Sequence, residues 1–192
     1  TILKMITGMS FKSSGQIFFD GHEFSRKDLK YIGALIENPP LYENLTAREN
    51  LKVRSLLLGL DEARIDQVLD IVDLKNTGNK KSGKFSLGMK ERLGIAIALM
   101  NNPKLLILDE PTNGLDPLGI QELRELIRSF PKKGITVILS SHILAEVEQS
   151  ADYIAIIDQG RLVYQNPNNH QGNLEEIFMK AVKKGVSNES LS

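Results

Sequence analysis

Two adjacent carboxylates follow a run of apolar residues just past the middle of the chain. The run is Leu105–Leu108, and the acids are Asp109 and Glu110. Such a run predicts a buried strand, and side chains at the carboxyl edge of a parallel sheet are well placed to meet a ligand. Asp109 could hold Mg²⁺, directly or through water, and Glu110 could take a proton from an attacking water. The alternative is that both acids only end the strand in solvent.

The segment after these acids predicts a turn and then a helix. It reads Pro-Thr-Asn-Gly-Leu-Asp over 111–116 and is followed by Pro117. Asp116 can cap the helix with its side chain, and proline suits the first helical position. A strand, two acids, a turn with glycine and a capped helix together form a more specific pattern than the acids alone.

A second candidate site begins another predicted helix. Ser86 stands at the helix start, and Gly88 follows two residues later. This arrangement exposes backbone amides and the positive end of the helix dipole, which suits an anion. A plain N-cap is the alternative interpretation of Ser86.

Two further polar residues follow predicted strands. His142 comes after the strand 135–140, where a histidine can donate to a phosphate oxygen or orient an attacking water. Glu37 comes after the strand 31–36, and its carboxylate could ligate Mg²⁺. The alternatives are a hydrogen-bonded structural histidine and a solvated loop acid. His22 and His170 have no comparable context, and we interpret both as surface residues.

Helical patterns alternate with short β-rich runs, which predicts an α/β domain with a mostly parallel sheet. The predicted strands are 17–19, 31–36, 105–109, 135–140 and 153–158, with 161–164 pairing back on the last through the turn Gln159-Gly160. Between Glu37 and Ser86 helices dominate. Thr46 and Glu49 form a capping box there, Asp61 can cap a second helix, and one face of that helix carries Ile65, Val68, Leu69 and Val72.

Composition excludes several classes of protein. Lys+Arg and Asp+Glu number 24 each, so the net charge is zero and gives no broad basic field for nucleic acid. Cysteine is absent, which excludes disulfides and thiolate metal sites. The longest apolar runs fall far short of the roughly 18 residues of a membrane-spanning helix, so a membrane role needs a partner.

Taken together, these segments resemble the nucleotide-binding subunit of an ABC transporter, over nearly the whole chain. The resemblance implies a P-loop NTPase core with an inserted helical subdomain, and ATP and Mg²⁺ as ligands. Asp109 then corresponds to the Mg²⁺ carboxylate of the Walker B strand and Glu110 to the catalytic base. Asp116 corresponds to the D-loop acid and His142 to the switch histidine.

Two segments depart from the family pattern. Phe-Ser-Leu-Gly-Met resembles the Leu-Ser-Gly-Gly-Gln signature, which contacts the γ-phosphate of ATP on the opposite subunit. Leu87 replaces the first glycine and Met89 the glutamine, so only Ser86 and Gly88 carry over. Glu37 stands where the family's Q-loop has a glutamine that touches the metal and relays nucleotide state to the membrane partner, and the resemblance gives Glu37 a place in the metal and nucleotide site. These variants are similar to the bacitracin and lantibiotic self-protection branch of ABC exporters.

The family's phosphate loop, a Gly-rich stretch ending in Gly-Lys-Ser/Thr, appears nowhere in the sequence. Thr1 and the helical pattern after it resemble the helix that follows this loop, which places Thr1 just past the loop's metal-binding residue, beside the nucleotide. The resemblance therefore implies a fragment that lacks the loop and the N-terminal strands. Such a fragment is expected to bind ATP poorly, whereas its parent hydrolyses ATP.

We expect a single domain over 1–192. Segments 1–37 and 102–182 are expected to form the α/β core, and 38–101 the helical subdomain with the signature helix. The polar residues 183–192 are expected to form a flexible tail.

The leading hypothesis is the ATP-hydrolysing subunit of an exporter of an antimicrobial peptide. It implies two copies that sandwich ATP, a transmembrane permease partner and a place on the cytoplasmic face of the membrane. The second hypothesis is a soluble ABC-type ATPase acting on DNA or ribosomes. The 48 residues between Glu37 and Ser86 are too few for the long coiled coil of the DNA-repair type, and the length does not suit tandem ATPase domains. A non-catalytic remnant is the third.

Overall fold

The computed structural model describes the backbone of residues 1–189 and the side chains of 1–183. The chain divides into two compact units, 1–140 and 141–192. The boundaries expected for the helical subdomain, 38–101, stay a prediction. Of the flexible tail expected at 183–192, the backbone of 183–189 is helical, and residues 190–192 lie outside the described residues.

The first unit is an α/β structure with a parallel sheet. Its strands are β1 (Phe18–Phe19), β2 (His22–Glu23), β3 (Ile32–Leu35), β4 (Leu105–Asp109) and β5 (Thr136–Ser140), and its α-helices are α1 (Ile2–Ile6), α2 (Ala47–Leu58), α3 (Ala63–Ile71), α4 (Leu87–Leu99) and α5 (Pro117–Ser129). Strands β3, β4 and β5 pair in parallel in that order, and β1 and β2 form a small antiparallel pair. The predicted α/β fold is confirmed.

Strand β4 is the central strand of the parallel sheet. Its four apolar residues are all buried, as expected for a strand covered on both faces. In the register, Leu108 lies opposite Leu35 of β3 and Leu139 of β5. The carboxyl ends of all three strands therefore meet at one edge of the sheet, with Asp109 in the middle.

Helix α2 begins with the predicted capping box, whereas the N-cap of α3 is Glu62 and the predicted cap, Asp61, bonds the helix from the preceding position. The Thr46 hydroxyl accepts from the Glu49 amide at 3.2 Å, and the Glu49 carboxylate accepts from the Thr46 amide at 2.7 Å. The Thr46 amide and the nearby Lys81 ammonium lower the pKa of Glu49 to about 2. The Asp61 carboxylate accepts from the Ala63 amide at 3.0 Å, at the start of α3. The predicted apolar face of α3 is buried.

Glu91 in α4 is a buried acid. Its exposed fraction is 8%, and desolvation raises its pKa to about 7. The unfolded chain has the lower, ordinary pKa, so the neutral acid favours the fold below about pH 4.5. That stability is lost as pH rises towards 7, because the carboxylate must then be buried.

Glu91→Gln is therefore expected to raise the thermal unfolding midpoint relative to the unmodified chain more at pH 8 than at pH 5. The amide stays neutral at both pH values, whereas the acid ionises. Thermal unfolding of both chains at the two pH values measures this, with the exposed Glu175→Gln as the control. If the unfolding midpoints of Glu91→Gln and the unmodified chain differ by the same amount at pH 5 and pH 8, Glu91 does not act as a buried acid.

The second unit contains α6 (Leu144–Ser150), β6 (Tyr153–Asp158), β7 (Arg161–Pro167) and α7 (Leu174–Glu189). Strands β6 and β7 pair antiparallel through the turn Gln159-Gly160, as predicted, with φ of +47° and +80° at its two residues. Ile154 and Ile156 pack with Leu174 in a separate small core. Within residues 1–189, no helix is long and apolar enough to cross a membrane.

Candidate functional site

The serine that ends β5 joins both acids at the sheet edge. Ser140 lies opposite Asp109 in the parallel register, and its hydroxyl donates to Asp109 Oδ1 at 2.6 Å. The Glu110 amide donates to the Ser140 hydroxyl at 3.0 Å and lies 3.2 Å from the Ser140 carbonyl oxygen. The end of β5 thus orients the Asp109 side chain and the Glu110 backbone together.

Two glutamates at this edge have left-handed backbones. The φ angle is +51° at Glu110 and +62° at Glu37. Glutamate seldom adopts this region, which costs on the order of 1–3 kcal/mol at a non-glycine residue. Each glutamate follows the end of a neighbouring parallel strand, β4 or β3, whereas the other five non-glycine residues with positive φ in the described chain lie elsewhere. Strain of this kind clusters at functional sites.

A lysine from α1 bonds the Glu37 side chain. Lys4 Nζ donates to Glu37 Oε1 at 2.5 Å. This bond lowers the pKa of Glu37 and raises the pKa of Lys4, to which the charge of Asp109 also contributes. Lys4, Glu37 and Asp109 therefore share one electrostatic environment. Both partners of the ion pair are substantially exposed, so it positions Glu37 more than it stabilises the fold.

The start of α4 packs beside the turn that follows the two acids. The Ser86 hydroxyl accepts from the Met89 amide at 3.3 Å, which makes Ser86 an N-cap. A methyl group added at Gly114 would lie 3.1 Å from the Leu87 side chain, and one added at Gly88 would lie 3.8 Å from Leu115. The bulky residue of the altered signature thus contacts its own chain's D-loop segment.

Asp116 caps α5, as predicted. Its carboxylate accepts from the Gly119 amide at 2.9 Å, and Pro117 occupies the first turn of the helix. Between the acids and this cap, Thr112 is buried and Gly114 has a φ of +76°. The turn is therefore a defined structure that leads from the sheet edge to α5.

The other candidate residues lie at element ends. Thr1 precedes α1 and is exposed, with its carbonyl accepting from the Met5 amide at 3.1 Å. His142 is exposed and lies in the second unit, between β5 and α6. His22 and His170 are surface residues, as interpreted from the sequence.

The structure brings Asp109, Glu110 and Glu37 to one sheet edge. Within the described residues there is no cluster of three or more acidic or histidine side chains that could hold a metal by itself. Carboxylates at this edge would share a cation with a bound phosphate, as carboxylates that bind Mg²⁺ do in phosphate sites.

The sequence did not indicate Lys4 or Ser140 as residues of the site. The alignment of Ser140 with Asp109 at the ends of neighbouring strands could have indicated Ser140.

Comparison with known sequences identifies relatives over most of the chain. A family model described as ABC transporter matches residues 1–113. The lantibiotic transport ATP-binding protein SrtF of Streptococcus pyogenes is 54% identical over 178 residues, which cover 93% of this chain and 78% of SrtF. The bacitracin transport ATP-binding protein BcrA of Bacillus licheniformis is 49% identical over 175 residues, 88% of this chain and 57% of BcrA.

Two solved structures of ABC transporter proteins are similar to this chain over most of its length. The ATP-binding subunit of an ABC transporter matches with a TM-score of 0.79 at 29% identity, over 94% of this chain and 82% of that one. CbiO1 from Clostridium perfringens, part of the ABC transporter complex cbiONQ, matches with a TM-score of 0.78 at 30% identity, over 96% of this chain and 76% of that one. The chain belongs to the ABC transporter family, as one of its ATP-binding ATPase proteins.

Proposed function

We propose that this chain is the ATP-hydrolysing part of an exporter that protects a cell from antimicrobial peptides of the lantibiotic or bacitracin type. The observation that carries the proposal is the sheet edge at which Ser140 joins Asp109 and Glu110. Support for the peptide comes from the identities of 54% and 49% to a lantibiotic and a bacitracin transport protein. Glu37 in place of the Q-loop glutamine also fits this branch.

The donor set at the edge fits Mg²⁺ held together with a nucleotide. Asp109 Oδ1 accepts the Ser140 bond, and among the described residues no hydrogen bond reaches Oδ2. That oxygen can take the cation or its water, while Glu37 offers a second hard oxygen ligand from the next strand. When bound, Mg²⁺ would neutralise charge that develops on the transferred phosphoryl group.

Glu110 is proposed as the general base. A carboxylate placed one residue beyond Asp109 can accept the proton of a water that attacks the terminal phosphate. The hydrogen bond from its backbone amide to Ser140 holds Glu110 at the sheet edge in its strained backbone conformation. His142 follows the next strand, and we assign it the role of donating to a phosphate oxygen or orienting the water.

The nucleotide is proposed to lie between two copies of the chain. Thr1 would lie beside the phosphates in one copy, with Asp116 close to the facing surface. Ser86 and Gly88 of the other copy would offer the amides and dipole of α4 to the terminal phosphate. A transmembrane permease is proposed as the further partner, which places the chain on the cytoplasmic face of the membrane.

The test uses two chains. The first is the 192-residue chain, and the second carries the family's phosphate loop and its preceding strand joined ahead of Thr1 (the loop-bearing chain). Because the first sequence has no such loop, it lacks the charge-assisted bonds of a phosphate cradle. Titration with a fluorescent ATP analogue is expected to give binding at least about 100-fold tighter, and Mg²⁺-dependent, in the loop-bearing chain.

The matched control replaces the lysine of the added loop by alanine, which should return binding to the level of the 192-residue chain. Micromolar Mg²⁺-dependent binding by the 192-residue chain would contradict the expected weakness. A loop-bearing chain that binds ATP but releases no phosphate would contradict the proposed hydrolysis.

A further inference from the structure

A cavity of about 320 Å³ opens where α3 meets the loops that lead into β4 and β5. Its volume lies at the low end of the range for small-molecule sites, about 300–1,000 Å³. Three cationic side chains line it, those of Arg64, Lys104 and Lys133, and the residues that line it include no acid. The apolar part of its wall is formed by Ile71, Leu99, Pro103, Phe130 and Ile135.

This cavity is separate from the candidate nucleotide site. Lys104 immediately precedes β4, and Asp109 ends that strand. With about 3.3 Å per residue, Lys104 and Asp109 are roughly 16 Å apart along the strand. A small molecule in the cavity would therefore lie at the amino edge of the sheet and would not touch the acids at the carboxyl edge.

Two of the three cations have partners already. Lys104 Nζ lies 2.6 Å from Asp20 Oδ2. Arg64 Nε donates to the Met100 carbonyl at 3.2 Å, and Nη2 donates to the Leu99 carbonyl at 2.5 Å. Arg64 thus holds the last carbonyls of α4, a favourable place for a cation. Carbonyl contacts leave its positive charge without a counter-ion.

Lys133 has no such structural role. Among the described residues, its ammonium has no hydrogen bond or ion pair. The last carbonyl of α5 does not require it, because the Phe130 carbonyl accepts from the backbone amides of Lys133 at 2.8 Å and Ile135 at 3.2 Å. The Lys133 ammonium is thus available to bind a ligand in this partly apolar cavity.

We propose that this cavity binds a small amphipathic anion, with a carboxylate or phosphate on a single aromatic ring or a short aliphatic chain. The anionic head lies between Lys133 and Arg64, and the body packs against Ile71 and Ile135. Since α3 supplies one wall and the loops before β4 and β5 supply the other, an occupant bridges the predicted helical subdomain and the α/β core. This proposal is independent of the proposed function.

The experiment titrates the ¹⁵N-labelled 192-residue chain with phenyl phosphate, with phenylacetate and with the neutral phenylacetamide. The two anions are expected to shift the amide resonances of Asn102 and Gly134, with the neutral amide at least about three-fold weaker. Lys133→Gln is expected to weaken binding of the anions about three- to five-fold. Lys132→Gln is the matched control, because this neighbour lies in the same 3-10 helix (Pro131–Lys133) but does not line the cavity.

The two anions test which head group the cavity prefers. Tighter binding of phenyl phosphate indicates a phosphate ligand, and tighter binding of phenylacetate indicates a carboxylate ligand. Equal affinity for phenylacetamide and the anions would overturn the proposal, as would equal losses in Lys132→Gln and Lys133→Gln. No shifts at these amides with any probe up to about 10 mM would also overturn it, because weaker contacts are not specific.

Discussion

Glu110→Gln in the loop-bearing chain is expected to slow ATP hydrolysis by roughly 10²–10⁴, the usual contribution of a positioned general base. Glutamine keeps the shape of the side chain but cannot accept the proton of the attacking water. The backbone bonds from the Glu110 amide to Ser140 do not depend on the carboxylate, so the sheet edge should keep its geometry. Steady-state phosphate release and binding of the fluorescent ATP analogue measure the two effects separately.

The matched control is Glu125→Gln. Glu125 is exposed on α5 and accepts from Gln121 at 3.2 Å, away from the sheet edge. It should hydrolyse ATP at the rate of the unmodified loop-bearing chain. If Glu110→Gln binds ATP normally and hydrolyses it at a near-normal rate, Glu110 is not the general base.

Gly33→Ala is expected to destabilise the first unit by about 3 kcal/mol, at the upper end of the usual cost of overpacking. A methyl group at Gly33 would lie 2.3 Å from the Ala98 carbonyl oxygen and 3.2 Å from the Pro103 ring. The first contact is with helix backbone, which cannot rotate away as a side chain can. Either α4 must move away from β3, or the strand must leave its register with β4.

Urea unfolding, followed by far-ultraviolet circular dichroism, measures this loss as a fall in the denaturation midpoint. Gly88→Ala is the control, because a methyl group there meets only Leu115 at 3.8 Å and alanine favours a helix. Its midpoint should stay equal or rise slightly. Equal midpoints for Gly33→Ala and the unmodified chain would show that α4 and β3 do not pack this closely.

Local chemistry made several elements predictable. The capping box at Thr46 satisfies free amides through residues three apart, and Asp116 with Pro117 begins α5 in the same local way. The turn Gln159-Gly160 depends on a two-residue connection in which glycine tolerates positive φ. Each of these structures is determined by neighbours in sequence, so it could be derived without knowing the rest of the fold.

Contacts between distant segments could not be derived in this way. The bond from Ser140 to Asp109 joins residues 31 positions apart, and its existence depends on the register between β4 and β5. The bond from Lys4 to Glu37 depends on the place of α1 beside the end of β3. No periodicity or local motif encodes these distances.

The cavity beside Lys133 shows the same limit, since its walls come from three separated stretches of the chain. By itself, the sequence determined most of the elements and their order (β2 and α6 are the exceptions), the buried central strand and the acids that end it. Only the tertiary structure decided which side chains hold those acids, why Gly33 must lack a side chain and where an anion could enter. The physical reason is that hydrophobic pattern and capping act over a few residues, whereas packing and register act across the whole sheet.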